Sequence, residues 1–173
     1  MKTWRILALL LMMMTASVCL AGGDVSKKVK FMSGENGTVY FVVPQKMAKA
    51  SDCKALKNLF YDVSYLNSED SVNFHCTIVT RTYQKFTEAI ISAKGLPEIR
   101  ADVKLIYIEP KGKKYDNRLR LRISYKDFKN LYSHSAPYVV DFGSGFRFGF
   151  KEKAWSKESL FMTNVFIMID SSK

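Results

Sequence analysis

The stretch YDVSYLNSEDSVNFHCTI, residues 61–78, decides the fold class. Tyr61, Val63 and Tyr65 alternate with Asp62 and Ser64, and Val72, Phe74, Cys76 and Ile78 alternate with Asn73, His75 and Thr77. A period of two gives each run one apolar and one polar face, which suits antiparallel strands buried on one side only. The polar residues Asn67-Ser68-Glu69-Asp70-Ser71 between them read as the turn. That turn sets Cys76 opposite about Asp62, with Cys76 facing the core and His75 facing solvent.

Working outward, the same pattern recurs. Upstream, residues 29–32 and 38–43 flank Ser33-Gly34-Glu35-Asn36-Gly37, and Pro44 ends the second run. Asn36-Gly37 predicts a hairpin turn, because both residues tolerate positive φ. Asn36-Gly37-Thr38 is also a glycosylation sequon, which matters only in a eukaryotic host. Downstream, residues 103–109, 118–125, 138–142, 146–151 and 160–170 read as strands, with turns at 110–117 and at Gly143-Ser144-Gly145. Tyr83, Phe86, Ile90 and Ala93 recur at helical spacing between Thr82 and Gly95, which predicts one amphipathic helix over 83–94. Shorter helical turns are expected at 51–60 and 126–132. Eight or nine short strands and one good helix make an α+β, mostly antiparallel β domain over residues 22–173, either a β-sandwich or a strongly curled sheet.

Residues 1–21 have the three parts of a secretory signal: Lys2 and Arg5, then the apolar core 6–14, then the small, neutral stretch 15–21. A core of nine residues is too short to span a bilayer as a helix, which takes about 20. Cys19 raises a second possibility, a lipoprotein signal, although Val18 departs from the small residue such sites carry before the cysteine. The expected location is therefore periplasmic or extracellular, with a surface or outer-membrane lipoprotein as the alternative. No transmembrane span is expected in the processed chain.

The 173-residue chain carries 27 Lys and Arg against 16 Asp and Glu, a formal charge of +11. Removing the signal leaves +9, of which residues 76–125 supply six. Arg118, Arg120 and Arg122 alternate with Leu119, Leu121 and Ile123, so the three guanidinium groups leave one strand face. Lys111, Lys113 and Lys114 adjoin them in the turn, and Lys104 lies on the partner strand. Arginine suits carboxylate, sulfate and phosphate, so this stripe is the candidate anion site. The bland alternative is a solvated face whose charge discourages edge pairing. Export turns the expectation away from nucleic acid and toward acidic polysaccharide, anionic lipid headgroups or acidic protein surfaces.

Two His and no closely spaced Cys argue against a metal site, and no cofactor motif is present. Cys53 and Cys76 could form a disulfide or remain two buried thiols. Gly143-Ser144-Gly145 lacks the Lys-Ser/Thr and following helix of a phosphate loop, and reads as a hairpin. Phe146, Phe148 and Phe150 then share one face, a core stripe. No G-x-S-x-G elbow, HExxH helix or acid/base pair stands out, and His134 merely sits between Ser133 and Ser135. The expectation is a non-catalytic binding or structural component of the cell envelope or extracellular space, with an extracytoplasmic hydrolase as a distant third.

Overall fold

The computed structural model describes residues 25–46 and 60–172. After a 3-10 turn at Val25–Lys27 the elements run β1 (Val29–Gly34), β2 (Gly37–Lys46), β3 (Phe60–Leu66), β4 (Ser71–Thr80), β5 (Glu88–Ser92), β6 (Ile99–Lys111), β7 (Lys114–Ser124), α1 (Tyr125–Ser133), β8 (Val139–Asp141), β9 (Arg147–Gly149) and α2 (Glu152–Asp170). The nine strands form one sheet in the order β1-β2-β3-β4-β7-β6-β5-β8-β9. Every neighbouring pair is antiparallel. The α+β, mostly antiparallel architecture expected from residues 61–78 is the one observed.

The sheet is strongly curled. At about 4.8 Å per strand, a flat sheet would put β4 and β9 about 24 Å apart, because five strand steps separate them. Instead Phe148 of β9 stacks on Phe74 of β4 with ring centroids 6.2 Å apart, and Phe150 meets Tyr61 of β3 edge-on at 5.7 Å. Strand β6 makes the curl possible by changing partners along its length: residues 103–111 pair with β7 and residues 99–102 pair with β5. The concave side carries the core, including Tyr61, Val63, Phe74, Cys76, Leu119 and Leu121.

Both helices lie on that side. Phe128 of α1 packs on Phe74 at 6.3 Å and on Phe166 of α2 at 6.0 Å. Helix α1 starts where Ser124 caps it, its Oγ accepting from the Asp127 N–H at 3.0 Å. Trp155 of α2 donates its indole N–H to the His134 carbonyl at 2.9 Å, and the buried Tyr132 and Tyr138 hydroxyls bond each other at 2.9 Å.

Several expectations change. Residues 83–94 are not a helix: Glu88–Ser92 is β5, with Ala89 and Ile91 buried and their neighbours facing out, while Tyr83 is exposed. The apolar spacing there fits both periods, and the unpaired edge of β6 selects the strand. Conversely, residues 160–170 belong to the helix α2, which buries Trp155, Met162, Val165, Phe166 and Ile169 as one stripe. A continuous apolar run does not distinguish a buried strand from a helix, and the 19-residue length does.

Strand β2 runs past Pro44 to Lys46 through a one-residue bulge between Val42 and Gln45, which accommodates the missing N–H. The β1–β2 turn is Glu35-Asn36, with Gly37 opening β2 at φ +115°. Asn67 explains the glycine: its Oδ1 accepts from the Thr38 N–H at 2.8 Å, and a Cβ on Gly37 would lie 2.3 Å from that oxygen. The β6–β7 turn shrinks from the expected 110–117 to Gly112-Lys113, since Lys111 and Lys114 already pair. Gly143-Ser144-Gly145 is the β8–β9 hairpin turn, all three residues having positive φ, and Phe148 and Phe150 are core residues. The expected helical turn at 51–60 lies outside the described residues except for Phe60, which opens β3.

Candidate functional site

Because both helices cover the concave side, the convex side of the sheet presents the polar residues of β3, β4, β6 and β7. Register places them in rows. Asp62 of β3 lies opposite His75 of β4, His75 opposite Arg120 of β7, and Arg120 opposite Lys104 of β6. The neighbouring rows bring Thr77 opposite Arg118, which faces Tyr107 across β6, and Asn73 opposite Arg122. The three arginines therefore share one face, as their alternation predicts.

Their electrostatic situations differ. Arg118 pairs with Asp62 through Nη2 and Oδ2, and its Nη1 donates to Thr77 Oγ1 at 3.3 Å. Arg122 donates from Nε to Ser71 Oγ at 2.8 Å and from Nη2 to Glu69 Oε2 at 3.1 Å. Lys111 Nζ sits 2.7 Å from Asp116 Oδ2 and 3.4 Å from Glu109 Oε2. Arg120 and Lys104 have no acidic partner among the described residues, and neither do Lys113 and Lys114 at the hairpin tip. Seven cations expected to act together thus divide into three neutralised locally, two at the tip, and one adjacent pair in the middle of the face.

The Asp62 environment was invisible in the sequence. Its side chain and that of His75 are only 19% and 17% exposed, and His75 Nδ1 lies 3.0 Å from Asp62 Oδ1 in a close but poorly aligned contact. Burial alone would raise the Asp62 carboxyl, but His75 and the Arg118 guanidinium outweigh it and hold the group below its ordinary value of 3.8. Asp62 thereby engages Arg118 on the convex face, two residues along β7 from Arg120. The signal that could have revealed this is the β3–β4 register. A five-residue turn puts Cys76 opposite Asp62, whereas the actual loop of four, residues 67–70, puts Cys76 opposite Tyr61 and His75 opposite Asp62.

Cys76 is a buried free thiol, and burial pushes it far above its ordinary value, so it is no nucleophile at neutral pH. Cys19 and Cys53 lie outside the described residues. Among the described residues no group of three or more His, Cys, Asp and Glu converges as a metal site would require. No helix is long and apolar enough to cross a membrane, among the described residues.

One aromatic belongs with the cation pair. Tyr107, 50% exposed, lies opposite Arg118 on the convex face, just past the bulge that separates it from Lys104. Compared with known proteins, the chain matches no protein-family model, no curated protein and no solved structure.

Proposed function

We propose that this is an exported, non-catalytic binding domain that holds an acidic polysaccharide on the convex face of its sheet. The observation that carries this reading is the Arg120–Lys104 pair, adjacent in register and without an acidic partner among the described residues, while Arg118, Arg122 and Lys111 are each paired. An unpaired guanidinium fixed by its strand is suited to a carboxylate or sulfate. Tyr107 on the same face supplies an exposed ring of the kind that combines apolar contact with a polar tip, which suits a sugar better than a bare ion. The secretory pattern of residues 1–21 supports a ligand outside the cytoplasm. The Asp62–His75 pair has a structural use, since it anchors Arg118.

The test is salt elution from immobilised heparin. The processed chain should be retained at low salt, and Arg120→Ser with Lys104→Ser should weaken binding by at least about tenfold, the value of one charge-assisted hydrogen bond. Arg122→Ser, which removes a cation already engaged by Glu69 and Ser71, should change retention little. Equal losses from Arg122→Ser and Arg120→Ser would refute the reading, because a diffuse surface charge would then suffice. Anionic vesicles serve as the comparison, and stronger retention on them than on heparin would point to a lipid surface instead.

A further inference from the structure

The two edges of the sheet are unlike each other. Strand β9 is three residues long, and its Gly149 is crowded by the Tyr138 carbonyl oxygen, 3.0 Å from where a Cβ would sit. Strand β1 is six residues long and carries Phe31 and Met32 at 69% and 65% exposure. Its hydrogen-bonding pattern is settled by the bond from the Val43 N–H to the Lys28 carbonyl, 2.9 Å. Alternation along an antiparallel ladder then turns Lys28, Lys30, Met32 and Gly34 toward β2, and leaves the N–H and C=O groups of Val29, Phe31 and Ser33 directed away from it.

We propose that β1 pairs with β1 of a second copy of this chain, extending the sheet across a twofold axis. Among registers that join the outward groups, the one with Phe31 opposite Phe31 is singled out by charge. It sets Val29 against Ser33 of the other copy and brings the acidic tip residue Glu35 to the basic end at Lys27 of the other copy, twice by symmetry. Sliding one ladder step toward Val29 would oppose Lys30 to Lys30, and sliding the other way separates Glu35 from Lys27. In the favoured register Lys30 faces Met32, whose apolar surface its stem can cover. Phe31 lies on the core side of the sheet, 6.3 Å from the Tyr40 ring. Two Phe31 side chains meeting on the axis therefore continue the core face from one subunit into the next. Such an interface is isologous and closed, so it ends at a dimer rather than a fibre. It also pairs the edge that β1 leaves open among the described residues.

Sedimentation equilibrium of the processed chain tests this. A dimer is expected, with a dissociation constant on the order of micromolar. Phe31→Lys should weaken it by at least about tenfold. Ser33→Pro should do the same, because the Ser33 N–H faces outward: the backbone ladder to β2 stays intact and only the exposed Ser33–Thr38 hydroxyl contact is lost. Glu35→Lys should weaken the dimer, and adding Lys27→Glu should restore it. Both Phe31 and Ser33 are exposed, and an unchanged thermal unfolding midpoint at protein concentrations well below the dimer dissociation constant confirms that each variant folds. A chain that stays monomeric up to about 1 mM overturns the proposal and leaves the edge to an extended peptide of another protein. So does a dimer whose affinity survives both Phe31→Lys and Ser33→Pro.

Discussion

Replacing Phe148 by Ala tests the curl of the sheet directly. Phe148 is 1% exposed, stacked on Phe74 at 6.2 Å and against Phe142 at 5.6 Å. Removing it forfeits about 1.5–3 kcal/mol of transfer free energy and leaves a cavity that the rings on either side fill only partly, so the expected loss is about 3–5 kcal/mol. For a domain of this size that lowers the melting temperature by about 6–20 °C. The assay is urea unfolding of wild type, F148A, F74A and the double variant, with the denaturant slope m checked for constancy. The aromatic contact should add a coupling of about 0.5–1.5 kcal/mol in the cycle. If Phe148→Ala costs under about 1 kcal/mol and the coupling is zero, β9 does not lie over β4 and the curled arrangement is wrong. Tyr83→Ala, at a position 64% exposed outside the strands, is the control and should cost under about 0.5 kcal/mol.

Two further predictions concern carboxylates. Burial pushes Glu158 on α2 up to about 7 against the opposing pull of Lys28, and its Oε1 is buried without a hydrogen-bond partner. A raised acid disfavours the ionised form in the fold, so wild type should lose stability as pH rises from the ordinary value of 4.5 through 7. Glu158→Gln escapes this loss and should be the more stable protein above pH 7, by on the order of 1–3 kcal/mol after allowing for partial solvent contact. Parallel melting curves for the two proteins between pH 5 and 8 would refute it. Asp62 has the opposite sign: its lowered pKa stabilises the fold above 3.8, and the gain fades as pH falls. Asp62→Asn, which strips Arg118 of its partner, should cost about 1–3 kcal/mol at pH 7, and the cost should shrink toward pH 2. A cost independent of pH would mean that the Arg118 pair carries no stability.

Much of the sheet is legible because one-sided burial imposes a period of two. The alternation of Tyr61, Val63 and Tyr65, of Val72 through Ile78, and of the three arginines with Leu119, Leu121 and Ile123 identifies strands and their faces without any tertiary information. The errors fall where local pattern is degenerate. Ile90 fits the helical stripe of Tyr83, Phe86 and Ala93 while Ala89 and Ile91 fit a strand's alternation, and what decides for β5 is the hydrogen-bonding demand of residues 99–102 some ten positions later. The run from Leu160 to Ile169 is broken only by Thr163 and Asn164, so its period carries little signal, and the covering role of α2 over the concave side decides it. At the convex face, residue types identified the stripe but not its neutralisation. Asp62, Glu69 and Ser71 reach Arg118 and Arg122 from more than fifty residues away, and a single residue in the length of the 67–70 turn decides which side chains oppose one another.

The sequence alone determined that this is a mostly antiparallel domain with a basic, strand-spaced face. These properties rest on local periodicity and composition. Only the tertiary structure decided that the sheet curls to bring Phe148 onto Phe74, that two of the three arginines are already engaged, and that Arg120 and Lys104 remain as a pair. Which charges cancel depends on distances of about 3 Å between strands far apart in the chain, and such distances are set by register and curl.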